Sequence, residues 1–159
     1  MIIGGVAGGA STAARLRRLD EQAEIILFEK GEYISYANCG LPYYIGGVIE
    51  ERERLFVQTP ESFKARFNIE VRIKSEVKAI EPENKQVVIK DWATGKTYRE
   101  SFDKLVLSPG AEPVLPPWEG IRTEGIFTLR NVADTDRIKA WAGRQEVKKA
   151  VVVGAGFIG

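Results

Sequence analysis

The sequence predicts an α/β protein: a Rossmann-like parallel sheet of the ββα type, an antiparallel β-meander set into it, and the first pieces of a second Rossmann-like unit. Three observations predict this. Residues 1–29 read as strand, glycine cluster, helix and second buried strand. The middle of the chain holds several short strands separated by turn residues. Near the carboxyl end a run of valines leads into a second glycine cluster.

Met1, Ile2 and Ile3 make a short apolar strand that runs straight into glycine. Residues 11–19 set Ala13, Ala14, Leu16 and Leu19 among arginines, the spacing of a short amphipathic helix. Residues 24–29, with Ile25, Ile26, Leu27 and Phe28 unbroken between two glutamates, read as a buried strand and complete a βαβ unit. Thr59 followed by Pro60 starts a helix, a capping residue before a proline at the first helical position, and this helix runs to about Phe67. Strands are expected at 70–73, 86–90 and 97–102, with the turn-rich 91–96 joining the last two as a hairpin. Another short strand at 104–107 closes on Ser108, Pro109 and Gly110. The proline-rich stretch 113–117 reads as a crossing or linker, 131–142 as a helix and 149–153 as a strand. Residues 1–147 are therefore expected to form the first domain. Residues 148–159 would be the opening strand and glycine turn of a second, whose helix is absent, and both ends of the chain look cut.

Composition narrows the function classes. An apolar fraction of 44% over 159 residues is enough to bury a core. Lys and Arg number 23 against 22 Asp and Glu, and a net charge of +1 creates no general field for nucleic acid or an acidic membrane. No long apolar stretch or secretory signal stands out, so the expectation is a soluble, cytoplasmic protein. The lone cysteine cannot close an internal disulfide, which fits a reducing compartment. The absence of histidine excludes a His-based triad or zinc site within the chain, and no metal site is expected.

The first glycine cluster comprises Gly4, Gly5, Val6, Ala7, Gly8 and Gly9, with Ala10 following. Glycines between a strand and a helix let backbone N–H groups approach a pyrophosphate, and the helix N-terminus adds partial positive charge. Val6 stands where the middle glycine of the usual G-x-G-x-x-G pattern would be. Glu29, with Lys30 beside it, ends the second strand twenty positions beyond Gly9, where a carboxylate can accept hydrogen bonds from a ribose diol. A glycine-rich turn in some other α/β protein is the competing reading. The second cluster, Gly154, Gly156 and Gly159, matches the full glycine pattern. Two clusters point to two dinucleotides, the pair that flavoproteins drawing hydride from a nicotinamide need.

Cys39 follows the second strand, on the sheet edge where nucleotides sit in such folds. If residues 41–44 begin a helix, the thiol precedes its N-terminus, where unpaired N–H groups favour a thiolate. From the residues alone two readings stand, a reactive thiol or a buried cysteine acting as a small hydrophobe.

The stretch Ser35-Tyr36-Ala37-Asn38-Cys39-Gly40-Leu41-Pro42-Tyr43-Tyr44-Ile45-Gly46, supported by residues 4–10, 59–67 and 105–110, resembles the pyridine nucleotide-disulfide oxidoreductases. Within them it is most similar to the single-cysteine class of coenzyme A-disulfide reductases. The resemblance covers the whole chain but only the amino-terminal third or so of a family member. It implies FAD, NAD(P)H as hydride donor, a small-molecule disulfide as substrate and a homodimer for the full-length protein. Dithiol members carry a second cysteine five positions on, and Tyr44 stands there, so the family implication is a single thiol, Cys39, that alternates with a mixed disulfide to coenzyme A. Related NADH oxidases and peroxidases often carry a histidine in the first glycine loop; Ala7 occupies that place and weakens the peroxidase reading. By the same resemblance Ser11, Arg15, Arg18, Ser35 and Asn38 would line the coenzyme A channel, arginine being suited to bidentate phosphate contacts. Read without the family, Arg15, Arg17 and Arg18 are the solvated face of an amphipathic helix. Ser108, Pro109 and Gly110 resemble the family's second flavin segment, which usually ends Ala-Thr-Gly; Pro109 removes one N–H donor there. The alternatives are a single-cysteine NADH oxidase or polysulfide reductase, a non-catalytic FAD-binding module for these residues alone, and a flavin monooxygenase or ferredoxin-type reductase with an incidental cysteine.

Overall fold

In the computed structural model, which describes residues 1–154, β1 (Ile2–Ile3), α1 (Ala7–Leu19) and β2 (Ile26–Phe28) come first, then α2 (Leu41–Ile45) and α3 (Pro60–Phe67). They are followed by β3 (Glu70–Arg72), β4 (Ser75–Glu81), β5 (Gln86–Asp91), β6 (Thr97–Ser101), β7 (Val106–Leu107) and α4 (Val132–Ala142). The parallel sheet has the order β3-β2-β1-β7, with Ile2 opposite both Leu27 and Val106. The meander has the order β4-β5-β6. Winding proceeds from β1 outward through β2 and β3, and the chain then returns to the other side of β1 at β7. That reversal makes the carboxyl end of β1 the switch point at which such sheets hold ligands.

Two compact units are present: Met1–Ala37 with Arg52–Ala111, and Asn38–Glu51 with the chain from Glu112 onward. The first is layered, with the parallel sheet in the middle. Ile2 and Leu27 point to one face and pack with Ala10 and Ala13 of α1 and Phe63 of α3. Ile26 and Phe28 point to the other and pack with Val87 and Ile89 of the meander. All three residues of β2 are buried because its two faces are both covered, which accounts for its unbroken apolar run. Arg72 of β3 reaches across to the meander, donating to Glu100 and the Tyr98 hydroxyl of β6 as well as to Glu70.

In the second unit, Asn38–Gly40 form a 3-10 turn that leads directly into α2. Helix α4 is opened by a capping box: Asn131 Oδ1 accepts from the Asp134 N–H, and Asp134 Oδ2 accepts from the Asn131 N–H. Helices α2 and α4 pack on each other, and Lys139 Nζ donates to the Tyr44 carbonyl at 2.6 Å.

Three sequence expectations differ from the structure. Helix α1 starts at Ala7 rather than at residue 11, so the glycine loop supplies its first turn. Strand β4 was not expected, because a bulge between Val77 and Ala79 interrupts its side-chain alternation. Residues 149–153 form no strand; Val151, Val152 and Val153 are exposed, and a strand requires a pairing partner that none of the described residues provides. Of the second glycine cluster, Gly154 has φ +117°, while Gly156 and Gly159 lie outside the described residues.

Candidate functional site

The switch point of the first unit is built around backbone approach. Gly4 has φ +94°, and a Cβ there would lie 2.0 Å from the Ser108 carbonyl oxygen. A Cβ on Gly9 would lie 1.7 Å from the Gly4 carbonyl oxygen, so only glycine lets α1 settle onto the end of β1. No side chain caps α1, and its first turn has no acidic residue. Its leading N–H groups at Val6, Ala7 and Gly8 therefore stand without side-chain partners at the positive end of a 13-residue helix, the arrangement that receives a phosphate anion.

Glu29 directly follows β2 and is buried, with 9% of its surface exposed. One carboxylate oxygen accepts the Gly5 N–H at 2.7 Å and the other the Gly31 N–H at 2.8 Å. These bonds offset the cost of burying the charge and leave each oxygen a further lone pair. Glu29, Lys30, Gly4 and Pro109 line one cleft of about 200 Å³ together with Ser75 and Val77 of β4. Ser108 continues the pairing of β7, its N–H donating to the Ile3 carbonyl at 2.8 Å, and its side chain faces Gly8. Gly110 follows at φ +74°. The glycine loop, the acidic strand end and the 108–110 turn thus meet at one sheet edge, and the cradle fits a dinucleotide by its close-approach glycines, its uncapped helix and its buried acceptor. Ser75 and Val77 belong to this cleft and were not anticipated. Their strand lacked a legible alternation, and the turn that aims it rests on Lys74 at φ +52°, which a lysine does not signal.

A second cleft of about 230 Å³ lies between α1 and α3, lined by Val6, Ala7, Ser11, Ser35, Tyr36 and Phe63. Ser35 is held left-handed at φ +46°, its N–H donating to the Gly5 carbonyl and its carbonyl accepting from Val57. The Ala37 N–H donates to the Leu55 carbonyl, so the chain on either side of the 38–51 excursion is zipped together. Arg52 covers this junction, with its guanidinium 5.1 Å from the Tyr33 ring centre. Ser11, Arg15 and Arg18 share one face of α1, and both arginines are exposed. Arg17 differs: it donates to the carbonyls of Phe67, Asn68, Asp20 and Glu21, tying α1 to the end of α3.

In the second unit Cys39 is exposed in the 3-10 turn, beside exposed Asn38 and ahead of α2. The structure removes the reading of Cys39 as a buried filler. Among the described residues there is no cluster of three or more potential metal ligands, and no helix is long and apolar enough to cross a membrane.

The winding order, the glycine cradle and the buried strand-end glutamate define a Rossmann-type dinucleotide-binding fold. Residues 1–159 match the family model of the pyridine nucleotide-disulphide oxidoreductases, and the chain belongs to that family. It is 44% identical over 158 residues to coenzyme A disulfide reductases of Staphylococcus haemolyticus and Staphylococcus aureus, covering 99% of this chain and 35% of theirs. The chain therefore spans about a third of the length of these relatives. Among solved structures, reduced Bacillus anthracis CoADR-RHD is similar at 60% identity and a TM-score of 0.87 over 89% of this chain and 26% of that one. An NAD-dependent persulfide reductase from A. fulgidus is similar at 37% identity and a TM-score of 0.82, over 88% of this chain and 26% of that one.

Proposed function

We propose that these residues are the amino-terminal part of an FAD-dependent NAD(P)H:disulfide reductase in which Cys39 is the redox thiol and coenzyme A disulfide, or a related low-molecular-weight disulfide, is the substrate. The observation that carries this is an exposed single cysteine with tyrosine, not a second cysteine, five positions on, in a chain of this family. In this reading Gly4, Gly5, Val6, Ala7, Gly8, Gly9 and Ala10 cradle the FAD pyrophosphate, and Glu29 takes the ribose with Lys30 beside it. Ser108, Pro109 and Gly110 close the flavin site. Gly154, Gly156 and Gly159 begin the NAD(P)H half, which makes residues 148–159 the start of the second domain.

Bound there, FAD would supply a two-electron relay between NAD(P)H and the thiol. The Cys39 thiolate attacks one sulfur of the substrate, forming a mixed disulfide and expelling one coenzyme A thiolate. Two electrons and a proton then split the mixed disulfide, releasing the second thiol and restoring Cys39. Ser11 and Ser35 face the cleft beside the glycine loop, and the exposed arginines Arg15 and Arg18 on the same helix face offer bidentate contacts to the phosphates of coenzyme A. Asn38 orients the thiol. The full-length enzyme is read as a homodimer acting in the cytoplasm.

The test is an intact mass of the unreduced full-length protein together with NAD(P)H-driven reduction of coenzyme A disulfide. A coenzyme A adduct on Cys39, and loss of turnover in Cys39→Ser, are expected. A Cys39→Ser protein that turns over normally defeats the proposal. The likeness to a persulfide reductase favours one second reading, in which a persulfide takes the place of the disulfide at the same thiol. Faster turnover with a coenzyme A persulfide than with the disulfide would select it.

A further inference from the structure

Tyr44 stands where dithiol relatives carry their second cysteine, and its surroundings give it a different task. Helix α2 has only five residues, too few to hold itself together by backbone bonding alone. Its carboxyl end is closed by the N–H groups of Gly46, Gly47 and Val48, which donate to the carbonyls of Pro42, Tyr44 and Tyr43, and it is held from outside as well. Lys139, on α4, donates from Nζ to the Tyr44 carbonyl at 2.6 Å, and the same ammonium lies 4.1 Å from the centre of the Tyr44 ring. One cation thus satisfies a carbonyl at the negative end of the helix and sits on the face of the aromatic ring that projects from it. Helix α4 is itself firmly started, by the Asn131 and Asp134 capping box and by buried Val132 and Thr135. The anchor point therefore lies on a helix whose start is fixed, in its last turn.

We propose that Lys139 is a positioning residue for Cys39: by binding both the carbonyl and the ring of Tyr44 it fixes α2, and with it the thiol carried by the turn that opens directly into that helix. The inference rests on the reading of Cys39 as the redox thiol. Lys139 touches neither substrate nor sulfur in this role. It limits the conformations among which the 38–45 segment is distributed, so that the thiol is presented to a disulfide in one geometry.

The experiment uses the full-length protein with Lys139→Met, which keeps the length of the side chain and loses the charge, Lys139→Ala as a second variant, and Lys139→Arg as the conservative replacement. Backbone amide exchange over residues 41–49 is measured without any disulfide present, and the rate at which the reduced enzyme reacts with coenzyme A disulfide is measured by stopped flow. Loss of one charge-assisted hydrogen bond predicts about tenfold faster exchange in Lys139→Met and Lys139→Ala, and a reaction with disulfide slowed about five- to tenfold. Flavin content and the rate of flavin reduction by NAD(P)H stay at the wild-type level, and Lys139→Arg returns both altered rates to within about twofold. Unchanged exchange, or faster exchange with an unchanged disulfide reaction, overturns the proposal. So does a loss of flavin and of NAD(P)H reactivity in parallel with the disulfide reaction, which would mark Lys139 as a general stabiliser. An active Cys39→Ser enzyme would strike down the redox reading itself, while the exchange data would still report whether the α2 anchor exists.

Discussion

The two glycines that end the loop, Gly8 and Gly9, are adjacent in sequence and opposite in what they tolerate. A Cβ on Gly8 would meet Ser108 Oγ at 3.2 Å, a side-chain atom that can turn away. A Cβ on Gly9 would meet the backbone carbonyl of Gly4 at 1.7 Å, and neither the strand end nor the helix can move without separating α1 from the sheet. Gly9→Ala is expected to cost about 3 kcal/mol or more and to abolish FAD retention, whereas Gly8→Ala is expected to stay within about 1 kcal/mol of wild type. Urea unfolding of the full-length protein, with flavin content measured in parallel, checks both; equal costs would mean that the helix is not seated on Gly4 as described. Glu29 raises a related point at the same scale. Its two bonds to Gly5 and Gly31 make it part of the loop's own framework as well as a candidate ribose acceptor. Glu29→Gln keeps the shape and turns one acceptor into a donor facing an N–H. It is therefore expected to loosen the loop as well as to weaken nucleotide binding, by about 2 kcal/mol.

Elements whose ends are fixed by their own residues were legible in the sequence, and elements fixed by distant partners were not. Thr59 and Pro60 start α3 because the Thr59 hydroxyl accepts the Ser62 N–H and proline needs no partner there. Asn131 starts α4 by the same local chemistry. Thr59→Ala and Asn131→Ala should each cost about 1 kcal/mol, read as a shift in the urea midpoint at constant slope. The first turn of α1 was hidden because glycine disfavours helix, and only the contact of Gly9 with Gly4 overrides that preference. Strand β4 was hidden by its bulge, and with it went Ser75 and Val77 of the candidate nucleotide cleft. The meander also carries an acid dependence. Hydrogen bonds from Thr94 hold the Asp91 carboxyl below its usual value, Arg99 does the same for Glu81, and Lys78 and Trp92 outweigh desolvation to do so for Glu76. Carboxylates depressed in the folded state add stability above their unfolded pKa of about 4 and lose it as the pH falls through the folded values. The urea midpoint should therefore decline as the pH drops below about 4, and Asp91→Asn should flatten that decline. An identical slope in the variant would show that Asp91 does not contribute.

At the scale of the whole first unit, the candidate nucleotide cleft belongs to neither sheet alone. Glu29 and Lys30 come from the parallel sheet, Ser75 and Val77 from the meander, and the opening between them is set by how the two are joined. Apolar packing of Ile26 and Phe28 against Val87 and Ile89 provides the area of contact but little direction. Direction comes from Arg72, which leaves β3 over the Phe28 ring at 5.3 Å and ends on Glu100 and Tyr98 of β6. Burial acts to lower its pKa, but the bonds with Glu100, Glu70 and Tyr98 outweigh it and hold the group above the ordinary guanidinium value, so it stays charged at any pH the fold survives. With side chains 27% and 30% exposed, the Arg72 and Glu100 pair is screened in part, and a double-mutant cycle of Arg72→Met and Glu100→Gln should give a coupling of about 1 kcal/mol. The more telling measurement is FAD affinity. If the pair sets the angle between the sheets, Arg72→Met raises the FAD dissociation constant by about tenfold although Arg72 does not line the cleft, and Glu100→Gln produces the same loss without adding to it in the double variant. Additive losses, or an affinity unchanged in both single variants, would mean that the apolar seam alone holds the two walls of the candidate nucleotide cleft in place.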